Sequence, residues 1–189
     1  MPTPKYCNQY PKFPADLNVA NNVNDESEKL LQACQEYGFF LLELRNDDQG
    51  ETLLGDAERI RRISTTEKYL GATTGVLKTD DGKLDNIAKY SLGQDDILGT
   101  GSPRANPSPI ETRREEWKLF FHHAHGFLNV MFTHLEKHLG LAPGTLVSMV
   151  SLGKESDTSL RILLSRPQSS TQDPRITLGG HTDIISEPY

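Results

Sequence analysis

The chain has 189 residues, with 20 Lys and Arg against 26 Asp and Glu, for a formal net charge of -6. That balance argues against nucleic acid or an acidic membrane as partner, because both need a basic footprint. The length suits one domain, able to bury a core without staples.

The two cysteines, Cys7 and Cys34, form no disulfide or metal pattern, which fits a reducing, cytoplasmic setting. No apolar run approaches the length of a bilayer span. The first residues, Met1 to Tyr6, lack the apolar stretch of a signal peptide.

Residues 1–24 are rich in Pro and Asn and read as an irregular lead-in. A helix is predicted from a cap at Asp25 through Tyr37, with Leu30, Leu31, Cys34 and Tyr37 at helical spacing and Gly38 closing it. The aromatic, apolar run 39–44 predicts a buried strand. A second helix is expected from about Gly50 to Tyr69, turning Leu53, Leu54, Ala57, Ile60 and Ile63 inward. Residues 71–110, full of Gly, Pro, Asp and Ser, read as a long loop with at most short elements. Such a loop is either a lid over a pocket or a surface connection.

The clearest helix runs from Glu111 to Gly140, with Phe121, Ala124, Leu128, Met131, Leu135 and Leu139 as an apolar stripe. A short helix is expected from Pro143 toward Ser151. Two strands follow, over 160–165 and 176–178. A helix-rich first three-quarters followed by the start of a β-region predicts an α+β fold. The divisions are 1–24, 25–150 and 151–189.

His181-Thr182-Asp183 is the pattern with the most chemistry in it. On a strand, residues two apart share a face, so an imidazole and a carboxylate there can meet one metal ion. That donor pair suits ferrous iron in a site of two His and one carboxylate. The competing reading is an ordinary surface His and Asp, since so short a motif also arises by chance. His134 and His138 lie one helical turn apart and read better as partly buried structural groups than as a chelating pair. His122, His123 and His125 read as solvated or satisfied flanking positions. The glycine pairs lack phosphate-loop spacing, and no nucleophile elbow is present.

Several stretches, in order, resemble the isopenicillin N synthase-like family of Fe(II)- and 2-oxoglutarate-dependent dioxygenases. They are the segment 31–40 (LQACQEYGFF), Tyr69-Leu70-Gly71, the segment 95–99 (DDILG), the helix close at 138–144 (HLGLAPG), the strand 160–164 with Pro167, and Leu178-Gly179-Gly180-His181-Thr182-Asp183. The resemblance covers about residues 15–185. It implies an N-terminal helical domain followed by a double-stranded β-helix, a jelly-roll, of which only the first strands are present.

It also implies His181 and Asp183 as iron ligands, with no catalytic side chain beyond them in this chain. Fe(II), 2-oxoglutarate and ascorbate are the implied cofactors. The family's second His and its 2-oxoglutarate-binding Arg have no counterpart here, and Ser165 stands where many members carry a Tyr. The implied reaction is hydroxylation, desaturation or cyclisation of a small organic molecule in secondary metabolism.

A chain ending at Tyr189 is expected to be a truncated member, with iron weakly held and little activity of its own. The alternatives are an inactive remnant that pairs with another protein through unpaired edge strands, and an unrelated helical protein. No nucleic-acid or membrane partner is expected.

Overall fold

The computed structural model describes residues 12–14, 23–38, 40–66, 73–74 and 87–165, with side chains over 27–38, 40–62 and 89–163. The chain opens on β1 (Lys12–Pro14), α1 (Val23–Tyr37) and β2 (Leu41–Glu43), and the two strands pair in parallel. Parallel strands need a crossover, and α1 supplies it. Then come α2 (Asp48–Thr66), β3 (Thr73–Thr74), β4 (Ile87–Gly93), α3 (Gln94–Leu98), α4 (Ser108–Glu111), α5 (Arg114–Leu139), α6 (Thr145–Met149) and β5 (Ser159–Ser165). β3, β4 and β5 form an antiparallel sheet in that order. This mixture of helix and strand is consistent with the α+β expectation.

α5 is the spine of the described region. On one side it packs with Ile60 of α2, Leu92 of β4, Ile97 of α3 and Ile110 of α4 around its own Trp117 and Phe121. Tyr90, Leu160 and Ile162 close that core from the sheet. Trp117 is fully buried, and its Nε1–H donates to the carbonyl of Ile110 at 3.1 Å. A buried indole needs that partner, and finds it one short helix away. A second, smaller core joins Leu30 and Ala33 of α1 to Phe40, Leu42, Val130 and Leu135.

The helix ends follow backbone logic. Gly38 and Gly140 both take the left-handed conformation after α1 and α5, as the sequence predicts. α1 begins at Val23, so Asp25 lies inside the helix and not at its cap. α2 begins at Asp48, two residues before the expected start. Its true cap is Asp47, whose Oδ1 accepts the N–H of Gly50 at 2.7 Å. The Asp at that position is the ordinary signal for a helix start.

The largest difference from the sequence reading is β4. The segment 71–110 holds this seven-residue strand as well as α3 and α4. Its signal is a period of two, with Ala88, Tyr90 and Leu92 alternating with Lys89, Ser91 and Gly93. The Gly, Pro and Asp that suggested a loop flank it. β4 pairs along its whole length with β5, so the sheet draws strands from both sides of residue 150.

The stripes also shift. Tyr37, Leu54 and Leu139 are exposed, whereas Ala33, Trp117 and Phe127 are buried. The strand expected at 176–178 and most of the lead-in lie outside the described residues.

Gly50 marks a close approach. A Cβ there would sit 2.1 Å from the carbonyl oxygen of Leu44, a backbone atom that cannot swing away. Gly55, one and a half turns on, meets nothing within 4 Å. Gly50→Ala is expected to destabilise the protein by about 1–3 kcal/mol through overpacking. Gly55→Ala is expected to stabilise it by about 0.5–1 kcal/mol, the usual preference of a helix interior for Ala. Thermal melts followed by circular dichroism give the two signs, and a stable Gly50→Ala protein would contradict the packing described.

Candidate functional site

His181 and Asp183 lie outside the described residues. What the structure gives is the strand that leads toward them. β5 ends at Ser165 after pairing antiparallel with β4 from Ser159 onward. Leu160 and Ile162 face the core, which fixes the opposite face for Arg161 and Leu163. Among the described residues no group of three His, Cys, Asp or Glu side chains is placed to hold a metal. One imidazole and one carboxylate two residues apart fit ferrous iron in kind.

The histidines of α5 are accounted for one by one. His134 Nδ1 and His138 Nε2 lie 3.0 and 2.6 Å from the Oγ of the fully buried Ser27 on α1. A hydroxyl donates one proton and accepts at its lone pairs, so it serves both rings at once. Burial, then the charges of Lys137 and His138, hold His134 below the usual imidazole range. The space between the rings is filled by a hydroxyl that ties α1 to α5, which agrees with a structural role.

His123 Nδ1 lies 2.6 Å from the carboxylate of buried Asp56 on α2, and that carboxylate also accepts from Arg59. His125 Nε2 donates to the carbonyl of Val150 at 2.8 Å, while its Nδ1 faces the amide nitrogen of Asn129 at 3.1 Å. His122 is exposed. These rings hold α2, α5 and the segment after α6 together.

Two buried carboxylates order the loops beside the sheet. Asp96, at the start of α3, accepts the backbone N–H of Arg104 at 3.0 Å, Nδ2 of Asn106 at 2.6 Å and Nη2 of Arg114 at 3.3 Å. Arg114 Nη1 donates to the carbonyl of Asp96 at 2.5 Å. Asn106 Oδ1 accepts from the hydroxyl of Tyr90 on β4 at 2.7 Å. Burial, with the charges of Asp96 and Glu111, raises the Tyr90 phenol, so it stays a donor. Glu136 on α5 accepts the N–H groups of Gly144, Leu146 and Val147 and so caps α6 from a neighbouring helix. Neither acid is marked in the sequence, since no local spacing signals partners that lie 8 to 18 residues on, in a loop or on another helix.

No family model matches the chain. A 2-oxoglutarate-dependent dioxygenase of Glarea lozoyensis, gloE, is 23% identical over 183 residues, covering 88% of this chain and 54% of that protein. A 2-oxoglutarate-dependent dioxygenase of Aspergillus fumigatus is 25% identical over 186 residues, covering 86% and 48%. These two distant relatives support that family. The chain spans about half the length of the curated relatives it matches.

Acid should unpick the two carboxylate networks. For both Asp96 and Glu136 burial pushes the carboxyl up, but the donors around it outweigh burial and leave it below its ordinary value. A depressed carboxyl contributes stability that is present above its unfolded value, near 3.8 for Asp96 and 4.5 for Glu136, and lost as pH falls through the folded value. The two carboxyls are therefore expected to add a steep fall below about 4, while the depressed His134 begins a shallower loss as pH drops below the ordinary imidazole value of 6.5. Asp96→Asn should cost about 3 kcal/mol at pH 7, as for other broken buried ion pairs, and should flatten the acid limb. Urea midpoints across pH 3–7 measure both; an unchanged limb would remove Asp96 from this role.

Proposed function

We propose that this chain is an Fe(II)- and 2-oxoglutarate-dependent dioxygenase, or a portion of one, acting on a small organic molecule in secondary metabolism. Hydroxylation, desaturation and cyclisation are the reactions it would perform. What supports the reading is the likeness to two relatives of that name over 86–88% of this chain. His181-Thr182-Asp183 would supply one imidazole and one carboxylate of the iron site that such chemistry uses. Under this reading the helices before residue 150 form the N-terminal domain, and β5 begins a jelly-roll. A cytoplasmic location accords with the absence, among the described residues, of a helix long and apolar enough to cross a membrane.

His181 would offer a neutral ring nitrogen and Asp183 an ionised oxygen to the iron. When bound, the metal supplies oxygen activation coupled to conversion of 2-oxoglutarate into succinate and carbon dioxide. The chain's own part is to hold the ion, to place the substrate and to keep water out. Both ligands bind in their deprotonated forms, so iron retention should weaken in acid.

A second reading has its own observation. β5 is an edge strand among the described residues, and Leu163 on it is 57% exposed. Exposed edges invite pairing with another chain. Here the protein would act through contacts with a partner in place of catalysis.

Iron retention separates the two. Anaerobic equilibrium dialysis against ferrous iron, followed by metal analysis, should show iron bound to the wild-type chain at pH 7. His181→Ala and Asp183→Ala should each reduce retention about tenfold or more, since loss of a ligand costs at least as much as loss of a group hydrogen-bonded to one. His134→Ala and His138→Ala should retain iron as the wild type does. Equal retention in all four variants would overturn the ligand assignment and favour the contact reading.

A further inference from the structure

The side of the β4–β5 sheet that faces away from the core carries a row of cations. Tyr90 and Leu92 on β4, and Leu160 and Ile162 on β5, point into the core. The alternate positions therefore share the other face. There Lys89 stands opposite Leu163, Ser91 opposite Arg161, and Gly93 opposite Ser159. Gly93 has no side chain, and the guanidinium of Arg104 fills its place. Arg104 Cζ and Nη1 lie 3.4 Å from where a Cβ would be, and Gly93 is buried beneath them. Lys89, Arg161 and Arg104 thus follow one another along one face. At about 3.3 Å per residue, neighbours in the row lie about 7 Å apart along the strand.

None of these three side chains has a hydrogen bond or ion pair with a described residue. That is unusual for this protein, which has more acids than bases. Arg45 pairs with Glu43, Arg59 with Asp56, Arg61 and Arg62 with Glu58, and Lys118 with Glu115. Glu155 and Asp157, ahead of Arg161 in sequence, are exposed and make no hydrogen bond or ion pair with a described residue, whereas the acids around the Arg104 loop are engaged. Asp95 Oδ2 accepts the N–H of Ser156, Asp96 holds Arg114 and Asn106, and Glu111 holds Arg114. The backbone N–H of Arg104 is pinned to Asp96, its guanidinium lies over Gly93, and its charge also acts on the Tyr90 phenol.

We propose that this face binds the carboxylates of an acidic small-molecule substrate. Lys89, Arg161 and Arg104 take its anionic groups, and Leu163 takes its apolar part. Leu163 is 57% exposed and lies among the cations, so the face offers both charge and apolar contact. A row of three cations is too small a footprint for nucleic acid, and the net charge of -6 opposes it. Naming the ligand a substrate rests on the oxygenase reading; the binding itself does not.

The test is an NMR titration of the isotope-labelled, iron-free 189-residue chain with glutarate, adipate, suberate and inorganic phosphate. Amide shifts are expected at Ser91, Arg104, Arg161 and Leu163, with affinity rising with chain length as methylenes reach Leu163. Lys89→Gln and Arg161→Gln should each weaken suberate binding about tenfold, the loss of one charge-assisted contact. Both sites are at the surface, so the melting temperature should hold. His181→Ala should bind suberate normally while losing iron. No shift on this face, phosphate binding as tight as suberate, or unaltered affinity in Arg161→Gln would each overturn the inference. Loss of suberate binding with iron retained would do so and leave the oxygenase reading standing. Iron loss in the wild type with suberate binding intact would do the reverse.

Discussion

The buried carboxylate of Asp96 is the constraint on which the described architecture turns. It sits where β4 passes into α3, with a side chain almost wholly removed from water. An ionised carboxylate in that position is tolerable only if donors surround it. The chain brings them from three directions: the backbone of Arg104, the amide of Asn106 and the guanidinium of Arg114 at the head of α5. Satisfying one charge therefore fixes the path of the 99–107 loop and the start of the longest helix. Through Asn106 it also reaches the Tyr90 hydroxyl, so β4 is registered against the same network.

The apolar core alone would not impose this. Leu92, Ile97, Ile110, Trp117 and Phe121 fill a common volume, and such volumes tolerate repacking when size and pattern are kept. The polar ties are directional and do not slide. Ser27 between His134 and His138 sets α1 on α5, Asp56 against His123 sets α2 on it, and Glu136 sets α6. α5 thus carries its neighbours by a series of hydrogen bonds along its length. Its polar residues and its apolar stripe share the work of placing them.

This division explains what could be read in the sequence. The helices, the glycine stops at Gly38 and Gly140 and the strand after residue 159 follow from local periodicity and backbone preference, and they are present. β4 was legible too, in the alternation of Ala88, Tyr90 and Leu92, but flanking Gly, Asp and Pro masked it. The burial of Trp117 and Ala33, and the exposure of Leu139, depend on which elements pack where, and helical spacing alone does not settle that. Asp96, Asp56 and Glu136 were illegible for a stronger reason. A charged residue in a sequence looks solvated until its partners are known, and most of theirs are far along the chain or on other elements. The metal pair was the opposite case: His181 and Asp183 carry their chemistry in their spacing, and they fall outside the described residues.

The two faces of the β4–β5 sheet show how one network can serve both stability and recognition. Toward the core, Tyr90 reaches Asn106 and hence Asp96. On the far side, Arg104 lies over Gly93, held by the same Asp96 through its main chain. The carboxylate accepts a backbone N–H from the one residue whose side chain it leaves free. Its charge is spent on Arg114 and Asn106, and the Arg104 guanidinium is left without a carboxylate partner among the described residues. A loop arranged for stability alone would gain by letting that guanidinium close on a nearby acid. Over Gly93 it adds to the face that carries Arg161 and Lys89, an arrangement that would become favourable once an anion lay across the three.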